Sequence, residues 1–257
     1  MLAYVATRPL DPSAALGQAV VAAFAELSRV HADGWGVAWR GSDGVSTRTV
    51  PGRRPSPADL AGSPAPSTAA LMYLRFGSAG TGTGSADTQP FLRAGRSFQH
   101  NGALRPAERL RAELTEAERA ALRGTTDSEL YFARLSRALT DPIDPAAVVD
   151  GVLAMRELYP DACLNALLLS PDALVVIHST GGRGAPLAAF ADRGLDLDAL
   201  PPGHGDDYNR LYTSVTADGV RAVATTGIPL HGWTPLPDET VSIVTPSSVA
   251  SVSLERF

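Results

Sequence analysis

Apolar residues follow two different spacings along the chain, and these spacings predict three successive blocks of structure. The first block contains short β-prone runs, and strands are predicted at residues 2–7, 35–40, 46–50, 69–76 and 97–101. It also contains the clearest amphipathic helix, predicted over 13–30. The second block is helical, with helices predicted over 106–114, 116–123, 127–139 and 145–158. The third returns to strands, predicted at 163–169, 173–178, 211–215, 220–224 and 241–244.

This order of elements predicts an α+β protein. Strands followed by helices and then by more strands indicate layers of sheet and helix around one core, not a parallel βαβ array. No repeat and no convincing linker interrupts the chain, so we predict a single domain over 1–257.

The composition excludes several kinds of chemistry. All 22 basic residues are arginine, which excludes a lysine Schiff base and a Walker-type lysine. The single cysteine, Cys163, excludes an internal disulfide and a cysteine-based zinc site. His178, His204 and His231 lack ligand spacing, so we expect neither a metal nor an organic cofactor. With a net charge of −5, no long apolar segment and no leader-like start, the chain is expected to be cytoplasmic, without nucleic-acid or membrane partners.

Four short motifs carry the candidate chemistry. In chain order they are His31-Ala32-Asp33-Gly34-Trp35-Gly36, Leu74-Arg75-Phe76-Gly77-Ser78, His100-Asn101-Gly102 and Thr126-Asp127-Ser128-Glu129. The planar guanidinium of Arg75 suits a carboxylate held through two hydrogen bonds, and Ser78 offers a hydroxyl for the same carboxylate. The alternatives are an ion pair between Arg75 and an internal Asp or Glu, and a loop role for Ser78.

The other motifs also allow two interpretations each. Asn101 can offer its side-chain amide and Gly102 its backbone N–H to one developing oxyanion, although Asn-Gly is also typical of a type I′ hairpin turn. Asp127 can meet a substrate ammonium, although it also fits a capping box that opens a helix. The run from Asp33 is typical of a turn followed by the buried Trp35.

Taken together and in this order, the motifs resemble those of the class II glutamine amidotransferases, which are N-terminal-nucleophile hydrolases. The resemblance is clearest to about residue 140 and is closest to the short stand-alone branch that includes the γ-glutamyl amidohydrolase of the ergothioneine pathway. It implies a four-layer αββα sandwich of two antiparallel sheets. It also implies that Arg75 and Ser78 hold the substrate carboxylate, that Asp127 holds its ammonium, and that Asn101 and Gly102 form the oxyanion hole.

The start of the chain departs from the family pattern. Members typically begin Met-Cys-Arg-x-Leu-Gly/Ala-Tyr, and the cysteine exposed by removal of Met supplies both the nucleophilic thiol and a basic α-amine. Here Leu2-Ala3-Tyr4 is present without the cysteine, and the alignment places the nucleophile two positions before Met1. Three explanations stay open: a start site read too late, a degenerate homologue, or replacement by another group. Cys163 is the only thiol that could replace the missing cysteine. It begins an apolar strand, however, where cysteine usually behaves as a small hydrophobe.

We therefore expect a glutamine amidotransferase or γ-glutamyl amide hydrolase whose substrate is glutamine or a γ-glutamyl amide. The printed chain leaves no room for a separate ammonia-accepting domain, so either a partner takes the ammonia or the protein is a plain hydrolase. The alternative is a catalytically inactive binding or scaffolding module that keeps the anchor formed by Arg75 and Asp127.

Overall fold

Two antiparallel sheets form the centre of the computed structural model, which describes residues 1–62, 65–78, 80–216 and 218–255. Their strands are β1 (Leu2–Leu10), β2 (Gly34–Gly41), β3 (Gly44–Pro51), β4 (Ser67–Leu74), β5 (Phe91–Arg93), β6 (Arg96–Asn101), β7 (Asn165–Leu169), β8 (Leu174–His178), β9 (Tyr212–Val215), β10 (Arg221–Ala224), β11 (Thr234–Pro235), β12 (Thr240–Val244) and β13 (Val249–Ser253). The first sheet has the order β11-β9-β10-β1-β4-β2-β3, and the second has the order β13-β12-β8-β7-β6-β5.

Helices cover the outer faces of both sheets, apart from the last one, which packs in a separate cluster with Val30 and Tyr208. They are α1 (Pro12–Leu16), α2 (Gln18–Glu26), α3 (Pro57–Gly62), α4 (Ala107–Glu113), α5 (Glu116–Ala120), α6 (Asp127–Leu135), α7 (Pro145–Leu158) and α8 (Leu187–Asp192). Short 3-10 turns at Leu27–Arg29 and Ser136–Ala138 extend α2 and α6, and two more lie at Ser85–Asp87 and Leu197–Ala199.

The alternation of side chains along β1 shows how the layers are stacked. Leu2 and Tyr4 pack with the apolar side chains of α1, α2 and α3, whereas Ala3 and Val5 pack with residues of the second sheet. Successive residues of a strand point to opposite faces, so one strand contributes to two cores.

The central strand β7 of the second sheet repeats this arrangement. Ala166 and Leu168 pack against α6 and α7, whereas Leu167 and Leu169 lie in the core between the sheets. The layers are therefore helix, sheet, sheet and helix, as the resemblance implied.

The main departures from the predicted elements have local causes. The helix predicted over 13–30 is divided at Gly17, whose φ of 87° lies outside the helical region. The strand predicted over 69–76 ends at Leu74, so Arg75 and Phe76 follow it. The elements β5, β11, β13 and α8 were not predicted. β5 and β11 have three and two residues, which is too few to show a period. β13 is mostly exposed, so it has no buried apolar face.

Across the described ranges, no helix is long and apolar enough to cross a membrane.

Candidate functional site

A cavity of about 890 Å3 opens where several strands of both sheets begin or end. Met1 lines it at the start of β1, Leu74 at the end of β4, and Asn101 at the end of β6. The segment 183–209, which includes α8, contributes another wall. The strand ends of both sheets thus bring distant parts of the sequence to one cavity.

Asn101 and Gly102 lie together on this cavity. Asn101 is the last residue of β6 and pairs with Asn165 of β7, after which the chain runs on towards α4. Neither residue has the positive φ that a type I′ turn requires, so the hairpin-turn interpretation is wrong.

The position of Gly102 accepts no side chain. A Cβ placed there would lie 2.0 Å from the carbonyl oxygen of Cys163 and 2.5 Å from Nε2 of His100. Those two atoms are themselves hydrogen-bonded at 3.0 Å, so Nε2 carries the proton. Nδ1 then accepts from the Ser128 hydroxyl at 2.9 Å. Burial lowers the pKa of His100, and with both ring nitrogens occupied this imidazole is structural.

A buried asparagine network, which the sequence did not reveal, orients the Asn101 side chain. Nδ2 of Asn101 donates to Oδ1 of Asn209 at 3.3 Å, across 108 residues of sequence. Nδ2 of Asn209 in turn donates to the carbonyl oxygen of Arg183 at 2.8 Å. Asn165, which is fully buried, donates to the Asn209 carbonyl and accepts from the Ser179 N–H at 2.8 Å. One of the two Asn101 amide hydrogens is thus held, which leaves the other available.

Arg75 is buried immediately after β4, but its guanidinium is occupied by the loop that follows. Nε donates to the Asp87 carbonyl at 3.1 Å, and one terminal nitrogen donates to the Gly82 carbonyl at 2.6 Å and to Thr81 Oγ1 at 3.2 Å. Its hydrogen bonds therefore go to neutral oxygens, not to the internal carboxylate of the ion-pair alternative. Ser78 lines the cavity, whereas Arg75 is not among the lining residues.

Asp127 is the first residue of α6, directly after the N-cap residue Thr126. Thr126 accepts from the Glu129 N–H at 3.3 Å, as a helix cap does. Oδ2 of Asp127 accepts from the Leu104 N–H at 2.6 Å, which ties α6 to the segment just after Gly102. Asp127, like Arg75, is not among the lining residues.

The only cysteine also lines the cavity, but in an unreactive form. Cys163 is 5 % exposed, and its thiol donates to the Asn101 carbonyl at 3.1 Å. Burial raises the pKa of this thiol to about 12, so it is protonated at neutral pH. At the start of β1, the α-amine of Met1 donates to Thr225 Oγ1 at 2.9 Å, and burial lowers the pKa of that amine to about 5.

Asp33 links two walls of the cavity, a role that the turn interpretation of its motif missed. Its Oδ2 accepts from the Gly77 N–H and from the Arg193 guanidinium, both at 2.6 Å. The same guanidinium lies 4.0 Å from the ring centroid of Phe76. Arg193 follows α8, so Asp33 connects the loop after β4 to the wall formed by α8.

An aromatic cluster closes the cavity near Met1. His31 and His204 approach each other through their Nε2 atoms at 3.0 Å, and Phe76, Phe190 and Tyr208 pack around them. Burial lowers the pKa of both histidines, that of His204 to about 4, so both rings are neutral at pH 7. Among the residues with described positions, no group of three or more His, Cys, Asp or Glu side chains is placed to hold a metal ion.

Comparison with known proteins gives one sequence match and several structural ones. Residues 1–181 match the family model described as class-II glutamine amidotransferases. A comparison with curated proteins gave no match.

The structural matches extend over almost the whole chain. A glutamine aminotransferase class-II domain protein from Silicibacter pomeroyi superposes with a TM-score of 0.61 at 15 % identity, covering 98 % of each chain. The glutamine phosphoribosylpyrophosphate amidotransferase from B. subtilis gives a TM-score of 0.60 at 14 % identity, covering 99 % of this chain and 49 % of that enzyme. An allosteric regulatory enzyme of purine biosynthesis gives 0.60 at 14 % identity, and the chain spans 48 % of it. At these identities the likeness concerns the fold, which is that of N-terminal-nucleophile amidotransferases.

Proposed function

The chain belongs to the class II glutamine amidotransferases, and from this premise we propose that it hydrolyses the γ-amide bond of glutamine or of a γ-glutamyl compound. The observation that carries the proposal is the position of Asn101 and Gly102 on the cavity that the start of β1 also reaches. Two neutral N–H donors beside one cavity suit the oxyanion of an amide under attack.

We assign the glutamyl half of the substrate to Arg75, Ser78 and Asp127. The guanidinium of Arg75 has five N–H donors, and three hydrogen bonds from Nε and one terminal nitrogen go to neutral oxygens of the loop. A substrate carboxylate would displace these neutral oxygens because of its charge. Ser78 already lines the cavity, and Asp127 is hydrogen-bonded to the N–H of Leu104, two residues beyond Gly102. Binding in this arrangement requires the loop carbonyls of Asp87 and Gly82 to give way to the substrate.

The nucleophile in this proposal is the thiol of a cysteine two residues before Met1. At the rise of a β-strand this is about 6–7 Å further along the same face of β1. The thiol loses its proton to its own α-amine and attacks the γ-carbonyl carbon. The oxyanion accepts hydrogen bonds from Asn101 Nδ2 and Gly102 N–H. The amine half of the substrate then leaves, taking the proton that the α-amine had accepted from the thiol. Water then attacks the thioester, releasing glutamate and restoring the thiol.

A plain hydrolase and a donor of ammonia to a partner protein share these steps. They differ only in whether the released ammonia is captured. We favour the plain hydrolase of a γ-glutamyl compound, in which the leaving amine is itself a product.

A second candidate is an inactive binding module. It is favoured by the protonated, buried state of Cys163, the only thiol among the described residues that line the cavity. Such a module would keep ligand binding through Arg75 and Asp127 without turnover.

The test is a chain extended by Met-Cys-Arg before Met1, from which the first Met is removed. Release of ammonia and glutamate from glutamine, and of amine from γ-glutamyl compounds, is expected. It should be abolished when the added cysteine is replaced by alanine, and reduced about 100-fold in kcat by Asn101→Ala. An extended chain that is folded but inert towards all of these compounds refutes the hydrolase. Calorimetric binding of glutamine by that inert chain, lost in Arg75→Gln, would establish the binding module instead.

A further inference from the structure

The lining of the cavity carries positive charge that the proposed reaction does not use, contributed by the segment after Gly102 and by the segment 183–209. Two aspartates, Asp161 and Asp192, line the cavity. Four arginines line it as well, namely Arg105, Arg109, Arg183 and Arg193. The whole chain, by contrast, has more acidic than basic residues, 27 against 22. The excess of basic over acidic residues is therefore specific to the cavity and is opposite to the charge balance of the whole chain.

Arg193 is already engaged, because it forms the ion pair with Asp33 at 2.6 Å. Of the other three, none forms an ion pair with a described carboxylate. Arg109 lies over the ring of Tyr159 at 5.9 Å, a contact that leaves its N–H donors free for a ligand. Nε of Arg183 donates to the carbonyl oxygen of Asp161 at 2.6 Å. The three side chains, from Arg105, Arg109 and Arg183, are here called the arginine wall.

The arginine wall is held close to the oxyanion pair by the fold. Arg105 follows Gly102 by three residues, and Arg109 lies on α4. The Tyr159 hydroxyl donates to the Pro106 carbonyl at 2.8 Å and accepts from the Leu110 N–H at 3.1 Å, which fixes α4 against the segment before β7.

Arg183 is anchored from the other side. Its carbonyl accepts from Asn209 at 2.8 Å, and Asn209 is the residue that holds the Asn101 amide. The backbone that presents the third arginine of the wall is therefore connected to Asn101 through one side chain.

We propose that the arginine wall binds a carboxylate on the amine half of a γ-glutamyl amide, so that the preferred substrate is a γ-glutamyl conjugate of an amino acid. The inference rests on the proposed function. There the glutamyl half is assigned to Arg75, Ser78 and Asp127, which leaves the arginine wall for the other half. Glutamine releases only ammonia and offers nothing to these guanidinium groups. A conjugate with its own carboxylate offers them a planar anion that matches their fork of N–H donors.

The test compares γ-glutamylglycine with γ-glutamylglycinamide, which differ only in replacement of the carboxylate by a neutral carboxamide. In the cysteine-extended chain, kcat/KM is expected to favour γ-glutamylglycine by about tenfold, the smaller end of what a charge-assisted hydrogen bond contributes. The double variant Arg109→Gln/Arg183→Gln should reduce this preference to below about threefold. Arg111→Gln is the matched control, since Arg111 is exposed on α4 two residues from Arg109 and does not line the cavity.

Equal kcat/KM for the two compounds, or a preference that survives in the double variant, overturns the inference. Absence of any turnover in a folded chain overturns the proposed hydrolase but still leaves the arginine wall testable. In that case calorimetric Kd values of the two compounds, measured on the chain with the added cysteine replaced by alanine, are expected to differ by the same tenfold. Equal Kd values there refute the arginine wall.

Discussion

Replacement of Gly102 by alanine tests the central geometry of the site without requiring any turnover. The new Cβ would lie 2.0 Å from the Cys163 carbonyl oxygen, whereas real Cβ contacts essentially never fall below 3.0 Å. The neighbour is backbone in the segment leading into β7, so it has no rotamer with which to move aside. A displacement of about 1 Å between the ends of β6 and β7 is therefore unavoidable.

The cost of this displacement has two parts. Overpacking in a well-packed region costs about 1–3 kcal/mol. Separating Cys163 O from His100 Nε2, now 3.0 Å apart, leaves a fully buried imidazole N–H without an acceptor, which costs about 1–3 kcal/mol more. We expect Gly102→Ala to lower the free energy of unfolding by about 2–6 kcal/mol and the Tm by about 4–24 °C.

Urea denaturation followed by far-UV circular dichroism, with a thermal scan, measures both quantities. Gly62→Ala is the matched control, because a Cβ there meets nothing within 4 Å. Its stability should stay within about 0.5 kcal/mol of the parent chain. If Gly102→Ala is as stable as Gly62→Ala, then the close approach of Gly102 to Cys163 does not exist in solution. In the cysteine-extended chain the same substitution should also lower kcat about 100-fold, because it displaces the Gly102 N–H.

Three further predictions follow from the same cavity. Asn209→Ala removes the partner that holds Asn101, so kcat of the extended chain should fall about tenfold with KM within about twofold; unchanged kcat would show that Asn209 is structural only. The pKa of His204 is lowered from 6.5 to about 4 by burial, so the unfolded chain binds the extra proton between those pH values. Stability should then be lost as pH falls from 6.5 towards 4, by up to about 3 kcal/mol, and thermal scans of His204→Gln should show a smaller loss than the parent. Cys163, with a thiol pKa of about 12, should react with iodoacetamide at pH 8 at least about 100-fold more slowly in the folded chain than in urea.

Much of the secondary structure, and with it the α+β class, could be predicted from the sequence, because regularly spaced apolar residues carry a strong signal. The four layers were implied by the family resemblance and not by periodicity. The helix predicted over 145–158 matches α7, and the strand predicted over 163–169 contains β7 (Asn165–Leu169). Alternation along such strands follows from the pleat alone, so it identifies buried faces without knowledge of the partner sheet. The division of the predicted 13–30 helix at Gly17 is the kind of detail that periodicity passes over, since one residue with positive φ leaves the apolar spacing intact.

The residues of the candidate site also fall into two groups, those that sequence motifs predicted and those that only the tertiary structure brings together. The sequence predicted Asn101, Gly102, Arg75, Ser78 and Asp127 as candidates because their motifs, taken together, resemble those of the family. The structure places Asn101, Gly102 and Ser78 on the cavity and leaves Arg75 and Asp127 outside its lining. It contained no signal for Asn209, which meets Asn101 across 108 residues, or for Arg193, which meets Asp33 across 160.

What the sequence determined by itself was therefore local: where strands and helices lie, which faces are apolar, and which side chains have the right chemistry. What only the tertiary structure decided was which of them meet. The Arg75 guanidinium is held by loop oxygens and Gly102 is pressed against the Cys163 carbonyl. Such contacts depend on how two sheets and a long connecting segment pack in space, and packing between residues far apart in the chain leaves no periodic trace in the sequence.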